Sequence, residues 1–149
     1  MKPQRVKDIK ALEMPPTVSL KTTVLNLVKM FLDAPVNHHF YVVDEDNKLL
    51  GFIYRKRLFR SLFRHHLHPT TRISRLYSLA TAENVEGMIN TYFIAAGPEE
   101  EIDDVITKML AHDLYEIPVV DAQGRLVGKL DSIYFLKTWL AENLKSGEI

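Results

Sequence analysis

The chain repeats itself. Shifted by 77 residues, HHFYVVDEDNKLLGFI (38–53) lies on YEIPVVDAQGRLVGKL (115–130). Val42/Val119, Val43/Val120, Asp44/Asp121, Leu49/Leu126 and Gly51/Gly128 are identical. Phe40/Ile117, Lys48/Arg125, Leu50/Val127 and Ile53/Leu130 are alike. In the same register Leu25, Val28 and Leu32 fall on Ile102, Val105 and Met109, and Leu58, Phe59, Leu62 and Phe63 fall on Phe135, Leu136, Trp139 and Leu140. Self-similarity at a fixed spacing means one supersecondary unit used twice.

Each copy reads as strand, helix, hairpin, helix. The first strands are TVSL (17–20) and YFIAA (92–96). Residues 22–33 place Leu25, Val28 and Leu32 on one helical face, with Thr22 or Thr23 as cap. In the second copy Pro98 suits a first helical turn, and Glu99, Glu100 and Glu101 oppose the positive end of the helix dipole. The hairpins turn at EDN and AQG, where Gly124 supplies the turn. The closing helices are expected at about 56–67 and 132–144. HPTTRIS (68–74) reads as a boundary, so the domains are expected at 1–68 and 69–149. Residues 77–91 read as an insertion before the second copy's first strand.

IPVVDAQGRLVGKL resembles the central signature of the CBS domain, and VKDI (6–9) resembles the lead-in common before the first such domain. The second copy matches well. In the first, Tyr41 replaces the usual Pro. The resemblance implies an α+β fold (α/β-like), with two β-α-β-β-α repeats packed through their strands as a pseudo-twofold pair and two ligand clefts between the copies. It further implies homodimerisation and regulation of an attached or partner transporter or enzyme. The expected ligand is AMP, ADP, ATP or S-adenosylmethionine, bound as a regulator, with no required cofactor and no enzymatic activity. A ligand would shift the angle between the copies if it prefers one arrangement.

The family's ligand motif follows the Gly of the last strand as Gly–hydrophobic–hydrophobic–Thr/Ser–x–x–Asp. There the Asp accepts ribose hydroxyls and the hydroxyl residue holds phosphate or sugar. In GFIYRKRL Tyr54 takes the Thr/Ser position and Arg57 the Asp position; in GKLDSIYF these are Asp131 and Tyr134. Neither copy keeps the ribose-binding Asp. Two readings stay open. In one, the pocket is re-tuned: Asp131 accepts the ribose from a shifted position, Tyr54, Tyr92, Tyr115 or Tyr134 stacks on a base, and Arg57 meets phosphate. In the other, the pair is degenerate, its clefts filled by its own aromatics, and it serves to dimerise or dock. By family position the ligand-binding residues are Tyr54, Arg57, Ile117, Pro118, Asp131 and Tyr134, with Thr17, His39, Tyr92 and Tyr115 further out.

Charge is uneven. Residues 1–82 hold 14 Lys/Arg against 6 Asp/Glu, and residues 83–149 hold 5 against 13, so a net charge of zero divides into +8 and −8. Oppositely charged halves attract within a chain or between chains. Arg57, Arg60 and Arg64 share a helical face, opposite Leu58, Phe59, Leu62 and Phe63. A face like this binds phosphate, nucleic acid or acidic lipid, or simply meets the acidic second copy. The neutral total and the missing nucleic-acid motif favour the last and disfavour a nucleic-acid partner. His65, His66 and His68 lie close in sequence, but helical neighbours point apart, so no metal site is expected. EEEIDD (99–104) reads as helix capping, and Trp139 as core or dimer interface. There is no Cys, no membrane-length apolar run and no hydrophobic leader in MKPQRVKDIK. A cytoplasmic location is expected.

Overall fold

In this computed structural model, residues 3–10, 12–66 and 84–146 are described. The architecture is α+β. The first repeat runs β1 (Thr17–Val18), α1 (Val24–Asp33), β2 (His39–Val43), β3 (Leu49–Tyr54) and α2 (Arg55–Phe63). The second runs α3 (Ile102–Ala111), β4 (Glu116–Val120), β5 (Leu126–Asp131) and α4 (Ser132–Ser146). The linker 67–74, with His68, and residues 75–83 lie outside the described residues.

The repeated identities are turn and crossing residues. Asp44 Oδ1 accepts from the backbone N–H of Asp46 and of Lys48, each at 2.9 Å. Asp121 Oδ1 does the same for Gln123 and Arg125, each at 2.9 Å. The last turn residue is left-handed in both hairpins, Asn47 at φ 64° and Gly124 at φ 80°. Asn and Gly are the residues that tolerate this conformation. Both hairpins also slip register at the same place, after Val42 and after Val119.

Contacts divide the chain into two compact units, Pro16–Phe93 (the first) and Met1–Pro15 with Ile94–Ile149 (the second). The units therefore do not coincide with the contiguous repeats. Residues 5–10, 12 and 13 precede the first repeat but pack on the second. Val6 is fully buried with Val105, Ile117, Val119 and Leu130, and Lys129 N–H donates to Glu13 O at 2.8 Å. Residues 84–91 precede the second repeat but pack on the first. Val85 is fully buried in the cluster of Leu27, Phe31, Phe40, Val42 and Ile53, and Phe52 and Asn90 exchange backbone bonds of 2.9 and 2.8 Å. The described part of the expected insertion is thus the counterpart of the opening lead-in, each making a 3-10 turn, Val6–Asp8 and Val85–Gly87. Gly51 and Gly128 recur because this crossing segment passes over them. A Cβ on Gly51 would overlap the Asn90 carbonyl, and one on Gly128 would come within 2.7 Å of Leu12 Cβ.

Two expectations need correction. Leu25 and Leu32 are 65% and 74% exposed; the buried α1 residues are Leu27 and Phe31. The helices superpose one residue away from the hairpin register: Val24, Leu27 and Phe31 match Ile102, Val105 and Met109. Copy one has five residues between helix and strand and copy two has four, which absorbs the offset. Thr23 is the α1 cap, accepting from Asn26 N–H at 3.1 Å. Second, YFIAA forms no strand. Only Ala96 bridges, to Val119, with Ala96 N–H to Pro118 O and Val120 N–H to Ala96 O both at 2.9 Å. In copy one β1 pairs in parallel with β2 through Thr17↔Tyr41 and Val18↔Val42. Pro118 stands where Tyr41 stands and has no N–H to extend the ladder.

Candidate functional site

In the first unit, β3 passes into α2 without a break at Tyr54–Arg55. Beside this junction a cavity of about 630 Å³ is lined by Tyr54, Lys56, Arg57, Arg60, Met88, Ile89, Asn90 and Thr91. One wall is the start of α2, where Arg57 and Arg60 are one turn apart and share a face. The other is the crossing segment, fixed by the Phe52–Asn90 backbone pair. Asn90 Oδ1 accepts from Tyr92 N–H at 3.0 Å, which holds the segment's exit.

The cations here differ in role. Arg55 is structural: its guanidinium donates to Pro35 O at 2.7 Å and meets His38 Nδ1 at 2.9 Å. Lys56, Arg57 and Arg60 are exposed; among the described residues they form no salt bridge and face a cavity lined by no Asp or Glu. Tyr54 closes an aromatic face on the hairpin. His39 stacks on Tyr41 at 5.5 Å and lies 5.7 Å from Tyr54; Phe52 meets Tyr41 at 4.7 Å, Tyr54 at 6.1 Å and Phe93 at 5.8 Å. Tyr41 and Phe52 are buried and His39 half-buried.

The matching place in the second unit is built from charges. Asp131 stands at the Tyr54 position. Its Oδ1 accepts from Tyr134 N–H at 2.9 Å, capping α4, and its Oδ2 lies 3.6 Å from Lys129 Nζ. Lys129 Nζ also bonds Glu116 at 2.9 Å and lies 3.8 Å from Glu13. Burial lowers the Lys129 pKa, but the bond to Glu116 and the fields of Glu116, Glu13 and Asp131 outweigh it, so the net shift is upward from 10.5. The Asp131 carboxylate is engaged on both oxygens inside this cluster.

Of the residues singled out from sequence, the structure brings Tyr54 and Arg57 together on one cavity. Asp131 is a cap, and Tyr134 packs edge-on against Phe135 at 5.2 Å. Ile117 and Pro118 are buried in β4. Tyr92 and Tyr115 are largely exposed, and Thr17 is exposed on β1. The wall of Met88 to Thr91 went unnoticed because it lies in the stretch read as an insertion. Its signal is a shared spacing: Val85 and Met88 repeat the apolar–x–x–apolar pattern of Val6 and Ile9.

In the run 99–104, Glu100 braces Lys108 at 2.6 Å and accepts from Gly97 N–H at 2.6 Å, and Glu99 meets Lys7 at 3.0 Å. Trp139 is not core. It is more than half exposed and lines an apolar groove of about 470 Å³ between α3 and α4, with Leu110, Leu136, Asp103 and Glu142.

The family model for the CBS domain matches residues 6–64 and 83–136. The chain belongs to the CBS-domain family. Both matches start in a crossing segment, so this CBS pair carries its lead-ins as part of the repeats. Its fold is similar to that of CBSX2 in complex with AMP (19% identity, 95% of this chain and 99% of the other, TM-score 0.69). It is also similar to the CBS domain pair of protein MJ0100 in complex with 5′-methylthioadenosine and S-adenosyl-L-methionine (26% identity, 94% and 99%, TM-score 0.62). Among curated proteins it is 27% identical over 128 residues to L-aspartate semialdehyde sulfurtransferase of Methanocaldococcus jannaschii. That match covers 85% of this chain and spans about a fifth (21%) of the relative. Among the described residues no helix of the CBS pair is long and apolar enough to cross a membrane.

Proposed function

We propose that this CBS pair is a non-catalytic regulatory module that takes an adenine nucleotide or related ligand in the first-unit cavity. The observation that carries the reading is the cavity itself. Among the described residues, Lys56, Arg57 and Arg60 meet no carboxylate, and they line one space with the Tyr54 ring and no acid. Cations suit phosphate and an aromatic ring suits a base. The nucleotide and adenosyl complexes of CBSX2 and the MJ0100 pair support the same class of ligand. Thermal unfolding with AMP, ADP, ATP, S-adenosylmethionine and NAD tests it. A ligand at about 100 times its dissociation constant adds about 2.7 kcal/mol, or about 5–10 °C for a chain of this size. The shift is expected to be lost in Arg57→Ala and retained in Asp131→Ala. No shift with any ligand overturns the reading.

The exposed helix faces favour an added role in dimerisation. Leu110, Leu136 and Trp139 line the groove of the second unit beside Asp103 and Glu142, and α2 of the first unit presents Phe59 and Phe63 beside Arg60 and Arg64. A second copy, set with its basic half against the acidic half of the first, matches both apolar surface and charge. Light scattering on the eluting chain is expected to give a dimer that Trp139→Asp converts to monomer. A monomeric parent protein sinks this part of the proposal and leaves the ligand reading standing.

A further inference from the structure

Resting on that nucleotide reading, we infer that the first-unit cavity selects its ligand by phosphate charge and is indifferent to the ribose hydroxyls. It takes nucleoside di- and triphosphates and turns away adenosyl compounds that lack phosphate. Arg57 and Arg60 project from one face of α2 a single turn apart, with Lys56 beside them. None is neutralised by a described carboxylate, whereas Arg55 next to them is committed to Pro35 and His38. Two guanidinium groups one turn apart can each grip a different phosphate of a chain, and a lysine adds a point charge. Affinity should therefore rise with every phosphate added.

The same lining cannot read a sugar diol through a charged acceptor. Among the described residues it contains no Asp or Glu, and the side-chain oxygen of Asn90 already accepts from Tyr92 N–H. Removing the 2′-hydroxyl therefore removes little. A sulfonium compound with an ammonium group brings positive charge to three positive side chains and is repelled. The second unit is not a fallback site for phosphate. Its matching position holds Asp131, with Glu116 and Glu13 nearby, all three gathered around Lys129.

Titration calorimetry on the full chain tests the proposal, at about 50 and about 300 mM NaCl. The probes are ATP, ADP, AMP, 2′-deoxy-ATP, adenosine, S-adenosylmethionine and inorganic tripolyphosphate. ATP should bind tightest, with each phosphate removed costing about 3- to 10-fold, and deoxy-ATP should lie within about 2-fold of ATP. S-adenosylmethionine and adenosine should each fall at least about 100-fold below ATP. Higher salt should weaken ATP by about 3- to 10-fold. Arg57→Ala and Arg60→Ala should each weaken ATP by about 10-fold, with Lys48→Ala as the remote control. Because both arginines are exposed and form no salt bridge among the described residues, the unliganded melting temperature should barely move.

The outcomes separate this proposal from the reading beneath it. S-adenosylmethionine or adenosine binding as well as ATP, untouched by the arginine variants, overturns phosphate selection and leaves a nucleoside pocket. Tripolyphosphate binding as well as ATP keeps phosphate selection and overturns the nucleotide. ATP binding that ignores both arginines overturns the assignment of the cavity. Silence from every probe overturns both.

Discussion

The two hairpins of this CBS pair share one inner face and oppose each other on the outer one. Inside, Phe40, Val42 and Ile53 of the first match Ile117, Val119 and Leu130 of the second, all buried. Outside, the cross-strand pairs His39↔Tyr54 and Tyr41↔Phe52 match Glu116↔Asp131 and Pro118↔Lys129. An aromatic cluster in one copy is an ionic cluster in the other. Because strand residues alternate, one face can be held by packing while the other changes its chemistry completely. The backbone survives the change because its turn and its crossing depend on Asp44/Asp121 and Gly51/Gly128, which both copies keep.

The comparison can be broken most severely at the glycines. Gly51→Ala should destabilise by about 3 kcal/mol or more, since the new Cβ meets backbone at Asn90. Gly128→Ala should cost less, because its Cβ comes within 2.7 Å of Leu12 Cβ, a milder overlap than that at the Asn90 carbonyl. Equal melting temperatures for the two would show that the crossings are not anchored as described. Lys129→Met should cost about 2–3 kcal/mol at neutral pH by removing the ammonium group that Glu13, Glu116 and Asp131 share. The pKa of Lys129 is raised on folding, so its contribution is complete below 10.5 and fades as pH climbs through the higher folded value. Denaturant titrations should therefore show an alkaline loss in the parent chain that Lys129→Met lacks.

Asp44→Ala and Asp121→Ala should each cost about 1–2 kcal/mol, for two turn bonds apiece. A difference of more than about 0.5 kcal/mol between them would mean the turns are not equivalent. Asn47→Gly should have the smallest effect, within about 0.5 kcal/mol of the parent in urea unfolding, since it puts at φ 64° the residue that the other repeat already has there as Gly124.

How much could be read from sequence follows the same division. The hairpins were legible because their identities sit at positions with one physical solution: a carboxylate accepting two backbone donors, and a glycine under a crossing strand. The α1 register was not. Val24, Leu25, Leu27, Val28, Met30, Phe31 and Leu32 offer apolar residues on most sides, so the repeat alignment selected the wrong face by one residue. The missing second-repeat strand was encoded in Pro118, which the hairpin match drew into the family signature instead. At the candidate site, Tyr54 and Arg57 were legible as positions and Lys56 and Arg60 as a basic face. The opposing wall was not, because it comes from a segment that packs on the repeat it follows.

The crossing of lead-ins also sets an order of events during synthesis. Residues 16–93 form their unit from continuous chain, and can close as soon as that stretch has emerged. The opening segment cannot. Val6 N–H bonds Glu100 O, and Glu13 O is bonded by Lys129 N–H, so the seat for this segment is made about 90 to 120 residues after it. At about 5–20 residues per second the segment waits roughly 5–25 s, unpartnered, for the strand that receives it. A circular permutant that joins residue 149 to residue 1 and opens between Pro15 and Pro16 removes that delay, because both units then run along unbroken chain.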